Sequence, residues 1–157
     1  MKFAPVILGL LIMAVGCASE RQIDLSSYYA QAPSLQKGYK LNATYVLRRD
    51  LILVKTDRFS YIFIRPGDGV PTVEEWRSGI RKTQIEVAAA LLPAGTEVRV
   101  EKIVYLKETG SGVSHATGML RAPGVDLLID PFGVSGFLSD APYGTLCLPD
   151  DRFLQIK

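Results

Sequence analysis

Residues 38–157 predict a mainly β domain, a small and partly closed antiparallel barrel carrying one short helix. Three observations lead there. Short runs dense in aromatic and β-branched residues alternate with polar or Gly/Pro clusters, the pattern of strands and turns. One long run, 96–107, changes its apolar parity part-way, as a β-bulge requires. A single helix-start signal, Thr72 followed by Glu75 with Pro71 just before it, stands among these runs.

The elements follow in order. Tyr39, Leu41, Tyr45 and Leu47 begin the β-rich stretch after Gly38, and Leu51-Ile52-Leu53-Val54 continues it. Phe59-Ser60-Tyr61-Ile62-Phe63-Ile64 is a third run, with Arg48-Arg49-Asp50 and Lys55-Thr56-Asp57-Arg58 as polar breaks. Arg65-Pro66-Gly67-Asp68-Gly69 ends it in a turn whose glycines accept positive φ. Val73, Trp76 and Ile80 then share one helical face, and Gly79 limits the helix to about 72–79. In 83–92 the alanines favour helix while Ile85 and Val87 alternate as in a strand. Strand from about 85 is preferred, because Leu92-Pro93-Ala94-Gly95-Thr96 turns into the long run. There, Val98 and Val100 keep one parity and Ile103 and Tyr105 the other, placing the bulge near Glu101-Lys102. Thr109-Gly110-Ser111-Gly112 turns the chain into strands over 113–121 and 125–129, joined by Ala122-Pro123-Gly124, a type II turn signature. The stretch 151–156 returns as a closing strand.

The segment LLPAGTEVRVEKIVYL, residues 91–106, is similar to the strand-turn-strand core of bacterial SH3-like barrels, where a Gly-Thr turn introduces the longest strand. That resemblance implies a barrel whose exposed aromatics line a groove for an extended peptide or a glycan.

The first residues are of another kind. Met1-Lys2 is a short positive start, and FAPVILGLLIMAV, 3–15, is uncharged and mostly apolar. A spanning helix needs about 20 apolar residues. This run is shorter and stops at Ser19, Glu20 and Arg21, so it reads as a cleavable export signal. Ala14-Val15-Gly16-Cys17 resembles the lipobox of bacterial lipoproteins, with Ala14 standing where leucine is commonest. The resemblance implies removal of 1–16, a diacylglycerol on the Cys17 thiol and acylation of the new amino group. An ordinary secretory signal with a coincidental cysteine is the alternative. Each buried methylene contributes about 0.8 kcal/mol, so two or three chains on one cysteine anchor the protein durably. Ala18, where an aspartate favours inner-membrane retention, implies delivery to the outer membrane, facing the periplasm. Residues 17–37 are polar and aperiodic and carry Pro33. They read as a lipid-anchored tether before the β domain of 38–157, with Tyr28-Tyr29 able to dock on it.

Charge and chemistry narrow the function. The chain has 18 basic and 16 acidic residues, and Lys2 leaves with the signal. A nearly neutral domain whose densest basic cluster is Arg77, Arg81 and Lys82 has no field for nucleic acid. With Cys17 acylated only Cys147 remains, so no internal disulfide forms. Its apolar surroundings, Gly144-Thr145-Leu146 and Leu148-Pro149, suit a buried small hydrophobe better than a reactive thiolate.

His115, in Gly112-Val113-Ser114-His115-Ala116-Thr117-Gly118, reads as a surface or loop histidine of a Gly-rich hairpin. Adjacent Ser114 points to the opposite strand face, so the two do not form a nucleophile–base pair. No Gly-x-Ser-x-Gly, Cys-x-x-Cys or His-x-x-x-His occurs. Asp68 reads as a turn residue, Glu74 and Glu75 as a helix start, and Asp150-Asp151 as a solvated pair, so neither metal nor cofactor is expected.

Tyr39, Tyr45, Phe59, Tyr61, Phe63, Trp76 and Tyr105 are mostly needed for the core. Trp76, near the Gly-rich turn, with Tyr61 and Tyr105, forms the candidate binding surface. The expectation is a non-catalytic, membrane-anchored module binding peptidoglycan or an envelope protein. An accessory subunit of a secretion or assembly complex is the second reading, and an envelope hydrolase the third.

Overall fold

The sheet is organised by its longest strand. In a computed structural model describing residues 22–55, 60–64, 73–78, 88–107, 113–140 and 143–157, the strands are β1 (Gln22–Asp24), β2 (Thr44–Leu47), β3 (Leu51–Lys55), β4 (Ser60–Ile64), β5 (Ala88–Leu92), β6 (Glu97–Leu106), β7 (His115–Arg121), β8 (Leu128–Asp130), β9 (Ser135–Asp140), β10 (Gly144–Pro149) and β11 (Leu154–Ile156). One short helix, α1 (Val73–Arg77), lies within the predicted helical stretch. The signal segment, Cys17, the 65–69 turn and Thr72 lie outside the described residues. Among the described residues, no helix is long and apolar enough to cross a membrane.

The described strands form a single 11-stranded sheet in the order β11-β2-β6-β7-β8-β4-β3-β5, with β10 joined to β7 and β9 to β10. The sheet curls into a mainly β, partly closed barrel-like fold, as predicted. Its pairings are mostly antiparallel. β7–β10 and β4–β8 are parallel, which no local pattern announced because parallel partners come from distant segments. β5 and β6 flank the 93–96 turn without pairing; β5 bonds to β3, and β6 to β2 and β7.

β6 carries the predicted bulge. Val100 pairs with Leu120 and Lys102 with Met119, leaving Glu101 as the extra residue. Val98 and Val100 are buried before it, Ile103 and Val104 after it. The extra residue flips parity and bends the strand, so both halves bury apolar side chains. β7 occupies one edge of β6 from Arg99 to Leu106. β2 and β1 therefore share the other edge, β2 on Glu97–Arg99 and β1 on Val104–Leu106.

The expected tether over 17–37 is corrected for its second part. Residues 22–37 belong to the domain: β1 pairs with β6, Leu35 is 1% exposed, and Leu25, Tyr29 and Ala32 pack on the core. A three-residue strand and two 3-10 turns bury apolar groups without a repeating period, so no periodic signal exists to read. The β9–β10 hairpin was likewise not predicted. Six cross-strand pairs, from Gly144↔Asp140 to Pro149↔Ser135, hold it.

Tight contacts seat the core. Tyr39 lies directly on Gly118, where a Cβ would come within 2.6 Å of the Tyr39 Cβ. Gly124 takes φ 72°, and Val125 N donates to Ala122 O at 3.4 Å, as the type II turn requires. Asp50 joins three segments: it pairs with Arg77 of α1 and accepts from Ala94 N at 2.8 Å.

Candidate functional site

Where β2, β6 and β7 come together, strand ends and a turn enclose an open groove of about 550 Å³. Thr44 comes from β2, Glu97, Val98 and Arg99 from the start of β6, and Arg121 from the end of β7. The Ala122–Val125 type II turn closes the far side. Val98 and Ala122 are buried beneath it, while Glu97, Arg99 and Pro123 are exposed. The alternation Val98-Arg99-Val100 produces this, sending the valines inward and the arginine outward.

The rim is polar and braced. Arg121 Nε donates to Glu101 Oε2 at 2.8 Å and Nη2 to Oε1 at 3.3 Å, while Nη1 donates to the Asp126 carbonyl at 3.2 Å. This fork, presented by the bulge residue, lowers the Glu101 carboxyl below its ordinary range and raises the Arg121 guanidinium above its own. Arg99 Nη2 donates to Asn42 Oδ1 at 3.3 Å, and Lys157 Nζ to Glu97 Oε1 at 2.6 Å. Asn42, at φ 65°, is the non-glycine residue of positive φ among those described. The groove thus combines an apolar floor with the side chains of Glu97, Arg99 and Arg121. That suits an extended, mixed-polarity ligand such as a peptide or glycan.

A second polar cluster lies inside the fold. His115 is 3% exposed and opens β7, which corrects its reading as a surface or loop histidine. Its Nδ1 lies 2.9 Å from the Val113 carbonyl and its Nε2 3.1 Å from Asp130 Oδ2. Asp130 Oδ1 accepts from Phe132 N at 3.0 Å, and the Phe132 ring packs on the imidazole with centroids 4.5 Å apart. Nearby, Ser135 Oγ donates to the Pro131 carbonyl at 2.8 Å and accepts from Tyr39 Oη at 2.8 Å. Burial, with Asp130 adding to it, pushes the Cys147 thiol up to about 12. A nucleophilic thiol is shifted the other way. Glycines around His115 suggested a hairpin loop; the β7–β8 pairing Leu120↔Ile129 brings up the carboxylate from Asp130.

The other predicted residues are dispersed. Tyr61 lies on β4 and Trp76 on α1, with side chains outside those described. Tyr105 is half-buried on β6, opposite Ile23 and with its ring 6.5 Å from that of Tyr143. β7 and β8 lie between β6 and β4, so Tyr105 and Tyr61 are on well-separated strands. Cys147 is fully buried, as expected. Asp150 is corrected from solvated to turn-forming: it accepts from Arg152 N at 3.0 Å and pairs with the Arg152 side chain.

The groove arginines were missed. Their signals were local and weak: Arg99 at an outward strand position, Arg121 just before the Ala-Pro-Gly turn. Compared with known protein families, characterised proteins and solved structures, the chain has no match.

Proposed function

We propose that this chain is a bacterial lipoprotein, cleaved before Cys17 and anchored by acyl chains in the outer membrane facing the periplasm. Its β domain acts as a non-catalytic binding module for an envelope partner, peptidoglycan or protein. The observation that carries the binding reading is the groove between Arg99, Arg121 and the Ala122–Val125 turn, an open concavity between strand ends and a turn. The lipobox-like Ala14-Val15-Gly16-Cys17 carries the anchor. Glu97, Val98 and Arg99 of the SH3-like segment 91–106 line the groove, which differs from the aromatic-lined one the resemblance implies in having no aromatic residue among the described residues that line it. An anchored module works at high local concentration, so modest intrinsic affinity suffices.

Two experiments test it. Cys17→Ala should abolish incorporation of labelled palmitate, and continued labelling contradicts the anchor. The 18–157 chain should sediment with purified peptidoglycan sacculi at high salt. Absence of sedimentation rejects the wall and directs the search, by cross-linking the full-length lipoprotein in its membrane, to a protein partner.

A further inference from the structure

We infer that the end of the domain carrying β1 is a membrane-docking surface that rests on lipid headgroups beside the anchor. This rests on the anchoring at Cys17 proposed above. Gln22 opens β1 five positions after Cys17, and five residues in any conformation reach at most about 18 Å. A domain of this size has a radius of gyration of about 14 Å, so the link is shorter than the domain is wide. β1 is also fixed in place. It pairs with β6 through Gln22↔Leu106, Ile23↔Tyr105 and Asp24↔Val104, and Leu25 N donates to Ile103 O at 2.7 Å. Acyl chains on Cys17 therefore hold this end of β6 close to the bilayer.

The side chains here suit that contact. Ile23 is 44% exposed, and its cross-strand partner Tyr105 is half-buried, facing the Tyr143 ring. Tyr28, on the 3-10 turn after β1, is 61% exposed, and Lys107 stands exposed just past the end of β6. Tyrosine sets an apolar ring against acyl chains with its hydroxyl in water, and lysine is drawn to anionic headgroups. Asp24, the acid on β1, alternates to the face opposite Ile23 and accepts from Ser26 N at 2.8 Å. The groove is at the other end of β6. Arg99 and Tyr105 are six positions apart on either side of the bulge, at most about 20 Å. Docking through the β1 end leaves the groove clear of the bilayer.

The test uses the full-length, lipidated protein in vesicles of phosphatidylethanolamine and phosphatidylglycerol. Nitroxide labels are placed singly at Lys107→Cys, Tyr143→Cys and Pro123→Cys; acylated Cys17 and buried Cys147 take none. Labels at 107 and 143, both far in sequence from the anchor, should gain oxygen access and lose nickel-chelate access severalfold on vesicles. The label at 123, on the groove, should stay fully accessible to nickel. Equal nickel access at all three positions, in protein that floats with the vesicles, overturns the docking alone. Protein that fails to float overturns the anchoring as well. Lys107 is exposed, so its variant keeps the test decisive if Tyr143→Cys does not fold.

Discussion

His115 Nε2 meets Asp130 Oδ2 at 3.1 Å in the interior, joining the first residue of β7 to the last of β8. Val113 holds the other ring nitrogen and Phe132 N the other carboxyl oxygen. Aromatic packing continues outward from the imidazole to Phe132 and then to Phe137, which is half exposed. The pair thus ties two strand ends beneath an aromatic cover.

Removing one partner strands the other in a low-dielectric site. His115→Ala should therefore cost about 1–3 kcal/mol, the range for leaving a buried hydrogen-bonding group unsatisfied. In urea melts of His115→Ala, Asp130→Ala and the double variant, the two losses should be coupled by about 1–3 kcal/mol. Additive losses contradict the pairing. Loss of cellular function at unchanged stability and protein level would instead make His115 catalytic.

Two glycines should fail for different reasons. Gly118→Ala drives a methyl to 2.6 Å from the Tyr39 Cβ and 3.0 Å from Val100 Cγ1. Overpacking of that kind costs about 1–3 kcal/mol. Gly124→Ala meets open space but sits at φ 72°, a left-handed conformation costing about 1–2 kcal/mol for other residues. Tyr39→Gly, which removes the clashing Cβ, should narrow the penalty of Gly118→Ala and leave that of Gly124→Ala unchanged, measured by thermal melts of the paired variants.

Cys147 should resist iodoacetamide in the native protein and react on unfolding, because its thiol is buried and pushed up to about 12. The unfolded thiol ionises near its ordinary value of 9.0. Between those values the unfolded state has lost the proton and the native state keeps it, so stability falls as pH rises. Cys147→Ala should flatten this part of the alkaline profile while Tyr39, also raised by burial, leaves a residual slope. Native labelling at neutral pH would contradict the burial.

Arg99→Ala and Arg121→Ala should weaken partner binding with little loss of stability. The Arg121–Glu101 pair is about 40% exposed on each side, and exposed pairs are worth about 0–1 kcal/mol. Unchanged sacculus or partner binding by both variants, with melts near that of the parent, rules out the groove.

Legibility in the sequence followed the range of the interaction. The bulge at Glu101, the Ala122-Pro123-Gly124 turn and β3 were readable because each depends on a few neighbouring residues: a parity change, a Pro-Gly turn, an apolar run. The docking of 22–37 was not, since Leu35 is buried by a non-repeating path. The groove was not either. Thr44, Arg99 and Arg121 are spread over 77 positions and meet only through the β2–β6–β7 register.

The sequence by itself determined the fold class, the strand-rich order, the phase change in β6 and the buried character of Cys147, all set by local backbone preference and apolar patterning. The tertiary structure alone decided which strands are neighbours, that His115 finds Asp130, and that β1 and the groove lie at opposite ends of β6. Hydrogen-bond pairing between strands carries no record in either strand of its distant partner, so register and the sites it creates appear only once the sheet has closed.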